Sequence, residues 1–144
     1  MKLLSDVNVL LALVAENNGH HAAVRHWWER QADDAVIHIC RPVQMGFLRL
    51  LCSETVMRED TQELPEAWAI YATLINSRRF TFVLEPAGLD AAWAGLCRPF
   101  KRSPKVVMDA YLAAFATAGG FTLVTLDQAF AQFRGLPVIV PVTA

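Results

Sequence analysis

The strongest constraint on the fold is a rhythm of five short apolar runs separated by stretches with helical spacing. Residues 3–5, 36–40, 80–84, 121–125 and 138–140 read as strands. They are rich in β-branched, leucine and aromatic residues, as strand interiors are. Between them lie predicted helices. The first is capped by Asp6 or Asn8 and runs to Val14 or Ala15, where Glu16-Asn17-Asn18-Gly19 stops it. Others cover 21–31, 43–52 with Pro42 in the first turn, a segment opened by Pro65 and ended by Arg78-Arg79, 89–96, and 106–118 ended by Gly119-Gly120. Residues 98–105 read as a basic, proline-containing loop. Strands that alternate with helices predict an α/β fold with a mostly parallel sheet. Continuous apolar strands fit a sheet covered on both faces.

In such a sheet, ligand sites form beyond the carboxyl ends of the strands. Asp6 and Asp127 stand at the carboxyl ends of the first and fourth strands. A third acid, Asp109, interrupts the apolar run from Val106 to Phe115. Its helix-face neighbours Val106, Leu112, Ala113 and Ala116 are all apolar. A buried carboxylate is costly unless it is paired, neutralised or bound to a cation. If folding brings the three together, their repulsion makes a divalent cation the natural partner. Simpler roles exist. Asp6 can cap a helix, a contribution of ~1 kcal/mol; Asp127 can cap a short one, and Asp109 can join a salt bridge. Asn8 and Thr125 are polar neighbours of the outer two acids. No histidine pair has zinc-ligand spacing, and there is no glycine-rich phosphate loop.

The chain of 144 residues suits one domain, 1–144, with a core of its own. Its net charge of -1 excludes a global electrostatic case for nucleic-acid binding. A local case rests on Lys101, Arg102 and Lys105, with Arg98, just ahead of the Asp109 helix. The apolar share of 54% is high for a soluble domain. Together with Trp27, Trp28 and Trp68 as surface candidates, it predicts a homodimer. The odd number of cysteines, 3, predicts free thiols in a reducing compartment. With no signal-peptide pattern and no run of ~18 apolar residues, the chain is expected to be cytoplasmic, with no membrane partner.

Four segments resemble the PIN-domain ribonucleases, specifically the VapC toxins of bacterial toxin–antitoxin pairs. They are Leu4-Ser5-Asp6-Val7-Asn8-Val9-Leu10-Leu11-Ala12-Leu13, Gln44-Met45-Gly46-Phe47-Leu48-Arg49-Leu50, Met108-Asp109-Ala110-Tyr111-Leu112-Ala113 and Thr125-Leu126-Asp127. The resemblance implies a PIN-like three-layer domain with strand order 3-2-1-4-5, metal-dependent cleavage of RNA, and inhibition by a cognate antitoxin. It implies that Asp6, Asp109 and Asp127 are the catalytic, metal-holding acids, supported by Asn8 and Thr125. Mg²⁺ or Mn²⁺ is the expected cofactor, since carboxylates suit hard cations. Lys101, Arg102 and Lys105 are candidates for the RNA backbone. Where the family usually carries a glutamate after its second strand, this chain has Gln44, which brings oxygen but no charge. Glu54 lies nearby in sequence. Two rivals follow: a catalytically weakened module of the same fold that binds RNA or antitoxin, and an α/β phosphoacceptor domain. The second needs paired acids near its start and a lysine after a late strand, and neither is evident.

Overall fold

The computed structural model describes residues 1–141. Five strands, β1 (Lys2–Ser5), β2 (Val36–Ile39), β3 (Phe80–Phe82), β4 (Thr122–Val124) and β5 (Val138–Ile139), form one sheet in the order β3-β2-β1-β4-β5. Every neighbouring pair is parallel. Parallel pairing needs long crossovers, and seven α-helices serve the described residues: α1 (Val7–Val14), α2 (His21–Glu29), α3 (Arg41–Leu51), α4 (Glu54–Met57), α5 (Leu64–Asn76), α6 (Leu89–Cys97) and α7 (Pro104–Gly119). No helix among the described residues is long and apolar enough to cross a membrane.

The central strand is sealed on both faces: Leu3, Leu4 and Ser5 have no exposed surface. Ile37 and Ile39 beside it, and Leu123 on the other flank, are equally buried. The strand order turns at β1, whose neighbours β2 and β4 lead outward in opposite directions. The carboxyl ends of these strands therefore open onto one edge at the switch point. That edge carries Asp6, Cys40 and Thr125.

Several boundaries differ from the sequence-based expectation. Helix α7 starts at Pro104, because a proline needs no N–H partner in the first turn. Lys105 therefore rides on the helix instead of in the loop. The short helix α4 and two 3₁₀ turns, Arg58–Asp60 and Gln128–Gln132, carry no clear apolar period to announce them. Gly119-Gly120 does end α7. Gly120 adopts φ 71, and its N–H bonds the Ala116 carbonyl. A Cβ at Gly119 would meet the Phe121 ring at 2.3 Å, so the first glycine of the pair is needed for space.

The tryptophans divide. Trp28 is a core residue, not a surface one: it packs on Phe80, and the Arg79 guanidinium lies 3.8 Å from its ring centroid. Its partner Trp27 is half-buried against it. Of the three candidates only Trp68 is exposed.

One strand residue sets a pH dependence. His38 of β2 stacks edge-on against Phe121, and its Nδ1 faces the Leu3 carbonyl at 3.0 Å. Burial, seconded by the charge of Lys2, holds its pKa below the ordinary 6.5. Between the lowered value and 6.5 the unfolded chain takes up a proton that the folded chain refuses. This contribution to stability is present above 6.5 and is lost as pH falls through the lowered value. Melting temperatures on either side of that window should therefore differ more for the native protein than for His38→Gln. Equal drops would show that His38 is not the group responsible.

Candidate active site

The geometry starts at the end of β1. The Asp6 amide donates to the Val124 carbonyl at 2.9 Å, so the backbone pairing continues into the acid itself. Asp6 then leaves the sheet in an extended conformation and caps α1, its Oδ1 accepting from Val7 N at 2.7 Å. Its Oδ2 accepts from Thr125 Oγ1 at 2.7 Å and from Asn8 Nδ2 at 3.4 Å. Capping and site-building are thus not rivals for Asp6: one oxygen serves the helix, the other serves the strand ends.

Thr125 and Asn8 tie the second acidic segment to the first. Thr125 is fully buried, and its hydroxyl accepts from Asp127 N at 3.0 Å while donating to Asp6. Asn8 Oδ1 accepts from Leu126 N at 3.2 Å. Residues 118 or more apart in sequence are therefore locked by side-chain bonds to backbone and carboxylate. Asp127 caps the 3₁₀ turn Gln128–Gln132, accepting from Ala129 N at 2.9 Å. Lys105 Nζ approaches its other oxygen at 3.8 Å. That lysine is largely exposed, so the pair is a weak, screened one.

Asp109 is half-buried near the start of α7, ahead of the fully packed stretch from Ala110 to Ala116. The two ion pairs among the described residues are Arg25–Glu29 and Lys105–Asp127, so no arginine neutralises Asp109. Burial raises its pKa, and the charges of Asp127 and Asp6 raise it further, against the pull of Lys105. Burial likewise raises Asp6, with Asp127 adding to it; the bonds from Thr125, Val7 and Asn8 oppose the rise. Asp6 and Asp109 thus both lie within reach of the Asp127 charge. Among the described residues no three His, Cys, Asp or Glu side chains close up into a ready ligand set. The donor chemistry is nonetheless all oxygen and strongly negative, which suits a hard divalent cation.

Gln44 is buried on α3, and its Oε1 accepts from Arg41 Nη1 at 2.5 Å. Its amide oxygen thus faces a cation on its own helix, and no hydrogen bond links it to the three aspartates. Glu54 is exposed at the start of α4. Lys101 and Arg102 are exposed and border a depression with Phe100 and Pro104. Three residues at this edge escaped the sequence reading: Arg41, Glu85 and Tyr111. Tyr111 donates its hydroxyl to Glu85 Oε2 at 2.7 Å. Arg41 and Glu85 follow β2 and β3, so the strand-end rule applied to Asp6 and Asp127 would have found both.

An all-parallel sheet with Asp6 at its switch point, bonded to Thr125 of the neighbouring strand end, defines a class of α/β domain, and comparison with known proteins narrows it. The PIN domain family model matches residues 3–136. Ribonuclease VapC41 of Mycobacterium tuberculosis is 44% identical over 138 residues, spanning 93% of this chain and 94% of that protein. Ribonuclease VapC39 of the same species is 32% identical over 133 residues, spanning 92% and 93%. Among solved structures, VapBC2 from Rickettsia felis bound to a promoter DNA fragment superposes with a TM-score of 0.71 at 15% identity, covering 97% of this chain and 98% of that one. VapC20 of M. tuberculosis, described as a Sarcin-Ricin loop cleaving toxin, superposes at 0.64 with 20% identity, covering 90% and 93%. The chain belongs to the PIN-domain family and, within it, to the VapC branch.

Proposed function

We propose that the protein is a Mg²⁺- or Mn²⁺-dependent endoribonuclease, the toxin of a toxin–antitoxin pair, neutralised by a cognate antitoxin in the cytoplasm. The observation that supports this reading is the bonding at the strand ends, where Thr125 links the Asp6 carboxylate to the Asp127 backbone and Asn8 links it to Leu126, with Asp109 on α7 left without an ion-pair partner among the described residues. The names of the VapC relatives and of the VapBC complexes support the ribonuclease and antitoxin parts. Asp6, Asp109 and Asp127 are the residues to hold the ion. Thr125 and Asn8 keep Asp6 oriented through hydroxyl and amide hydrogens, leaving its carboxylate only partly satisfied. When bound, a divalent cation there supplies water activation and charge stabilisation at the scissile phosphate. Lys105, with Lys101 and Arg102, offsets the repulsion that three acids exert on an RNA backbone. Residues 1–141 share one sheet and one core cluster, in keeping with a single PIN-like domain over 1–144.

The test is cleavage of RNA by purified protein with Mg²⁺ or Mn²⁺ and with EDTA. Cleavage that EDTA abolishes supports the reading; metal-replete protein that leaves RNA intact, with or without a partner removed, rejects it. Specific binding of RNA or of an antitoxin without cleavage would instead favour the catalytically weakened module.

Gln44 tunes the site in a way that Arg41 modifies. A carboxylate at position 44 meets the Arg41 guanidinium first, because the amide oxygen already does. Gln44→Glu alone is therefore expected to tighten Mg²⁺ binding less than Gln44→Glu combined with Arg41→Met, in which the new charge has no internal partner. Calorimetric titration of both variants and the native protein checks this. Equal affinities in all three would place Gln44 outside the reach of the ion.

The homodimer is part of the same proposal. Met45 of α3, Leu64 and Trp68 of α5 and Met108 of α7 are large apolar side chains left exposed. Pro42, Met45, Leu48, Cys52, Leu64 and Met108 line one broad depression among them. Light scattering should give twice the mass of the chain at micromolar concentration; a strict monomer would remove the dimer from the proposal.

A further inference from the structure

Past the carboxyl ends of β2 and β3 lies a cavity of about 480 Å³, within the ~300–1,000 Å³ range of small-ligand pockets. It is lined by Arg41, Phe82, Glu85, Trp93, Met108 and Tyr111 among others. Its lining residues come from the same elements that carry the acids or adjoin them in the sheet. Met108 and Tyr111 flank Asp109 along α7, and Arg41 directly follows Cys40 at the end of β2. The buried Cys40 thiol, pushed up to about 11 chiefly by burial, feels the charges of both Asp6 and Glu85.

The lining combines flat apolar surface with few, convergent polar groups. Trp93 and Tyr111 meet edge to face with centroids 5.0 Å apart, and Trp93 Nε1 is tied to the Val107 carbonyl at 2.9 Å, which fixes its ring. The Arg41 guanidinium lies 4.4 Å from the Phe82 centroid, presenting its own flat face. Glu85 is held by the Tyr111 hydroxyl at Oε2, and among the described residues no donor occupies its Oε1. Burial and the bond to Glu85 raise the Tyr111 pKa, so the phenol stays a donor and Glu85 stays oriented.

Single-stranded RNA is read by stacking splayed bases on aromatic rings or guanidinium planes and by hydrogen bonds to base edges. An oriented carboxylate accepts and does not donate, so it selects an edge with neighbouring N–H donors. Guanine presents N1–H and the N2 amine side by side. Adenine and cytosine set one amine next to an acceptor, and uracil sets one N–H between two. Resting on the ribonuclease reading, we propose that this cavity is a guanine subsite, in which Glu85 accepts from the base edge while Trp93 and Arg41 offer flat surfaces for stacking. A guanine held there sits next to the acidic edge, so the residue contributes to the choice of cleavage position.

The test separates base reading from cleavage by working first in EDTA. The native protein is titrated with the 5′-monophosphates of guanosine, adenosine, cytidine and uridine, read by calorimetry. The guanosine nucleotide is expected to bind roughly 10-fold more tightly than the others, the size of one good bidentate base contact. Glu85 is exposed, so Glu85→Gln should fold normally. It is expected to lose the preference, since its amide replaces one acceptor with a donor. Trp93→Phe should weaken all four nucleotides alike and leave the order unchanged. Equal binding of the four by native protein, or an unchanged preference in Glu85→Gln, overturns the proposal. Oligonucleotides differing at one base then report cleavage with Mg²⁺. Selective guanine binding without any cleavage supports the subsite and counts against the ribonuclease reading. Cleavage with no guanine preference, in native protein and Glu85→Gln alike, overturns the subsite and leaves the ribonuclease reading standing.

Discussion

Asp6→Asn is expected to abolish metal-dependent RNA cleavage, by ~10³-fold or more, as loss of one member of an interdependent constellation does. Asparagine keeps the shape and the helix cap at α1, so the fold is expected to survive. What is lost is one negative charge at the meeting point of β1 and β4, and with it the attraction for a cation. Asp109→Asn is expected to lose activity in the same way. It carries a second signature that a merely structural acid would lack. The folded-state pKa of Asp109 is raised above 3.8, so its contribution to stability is present below 3.8 and is lost as pH rises through the raised value. At neutral pH its charge is a burden on the metal-free protein. Asp109→Asn should therefore melt higher than native protein in EDTA at neutral pH, with the advantage vanishing in acid. Full activity in Asp6→Asn, or a lower melting point for Asp109→Asn, would dissolve the proposed metal site.

Thr125→Val is expected to be the most damaging uncharged substitution in the protein. The side chain is fully buried, and valine matches its volume, so packing is nearly conserved. The hydroxyl, however, donates to Asp6 Oδ2 and accepts from Asp127 N. Removing it leaves a backbone N–H and a carboxylate short of a partner, a cost of ~1–3 kcal/mol. It also removes the largest influence opposing the raised pKa of Asp6, so that acid ionises less readily. Loss of a group that orients a metal ligand typically reduces affinity or activity by ~10–100-fold. Thr125→Ser should restore most of both, because it returns the hydroxyl and not the methyl. If valine is tolerated, or if serine fails to rescue, the hydroxyl is not what positions Asp6.

Much of this was legible along the chain. The five apolar runs announced the strands, and their alternation with helices announced a parallel sheet. Asp6 and Asp127 were placed by the strand-end rule alone. Asp109 stood out because an unpaired acid in an apolar helix stripe has no cheap bland explanation. The same rule, applied to the second and third strands, would have reached Arg41 and Glu85, which sit just past β2 and β3.

Other features were out of reach because no local signal encodes them. Lys105 reads as part of a loop, but Pro104 starts the helix two residues earlier than expected and brings the lysine toward Asp127. Trp28, on the apolar side of its helix, reads equally as core or interface; only the arrival of Phe80 and Arg79 from about fifty residues away decides for the core. Gln44 reads as a chargeless residue in the place of the family's glutamate; that Arg41 donates to its oxygen is a contact only the fold reveals. The sequence by itself determined which residues could be buried strands, where those strands end, and which acids lack a local partner, since periodicity, turn chemistry and the cost of burying charge act over a few residues. Only the tertiary structure decided that Thr125 and Asn8 would bridge Asp6 to the segment before Asp127, and that Tyr111 would meet Glu85. Those bonds depend on strand order and on 2.7 Å contacts between residues 26 to 119 positions apart, which no spacing along the chain records.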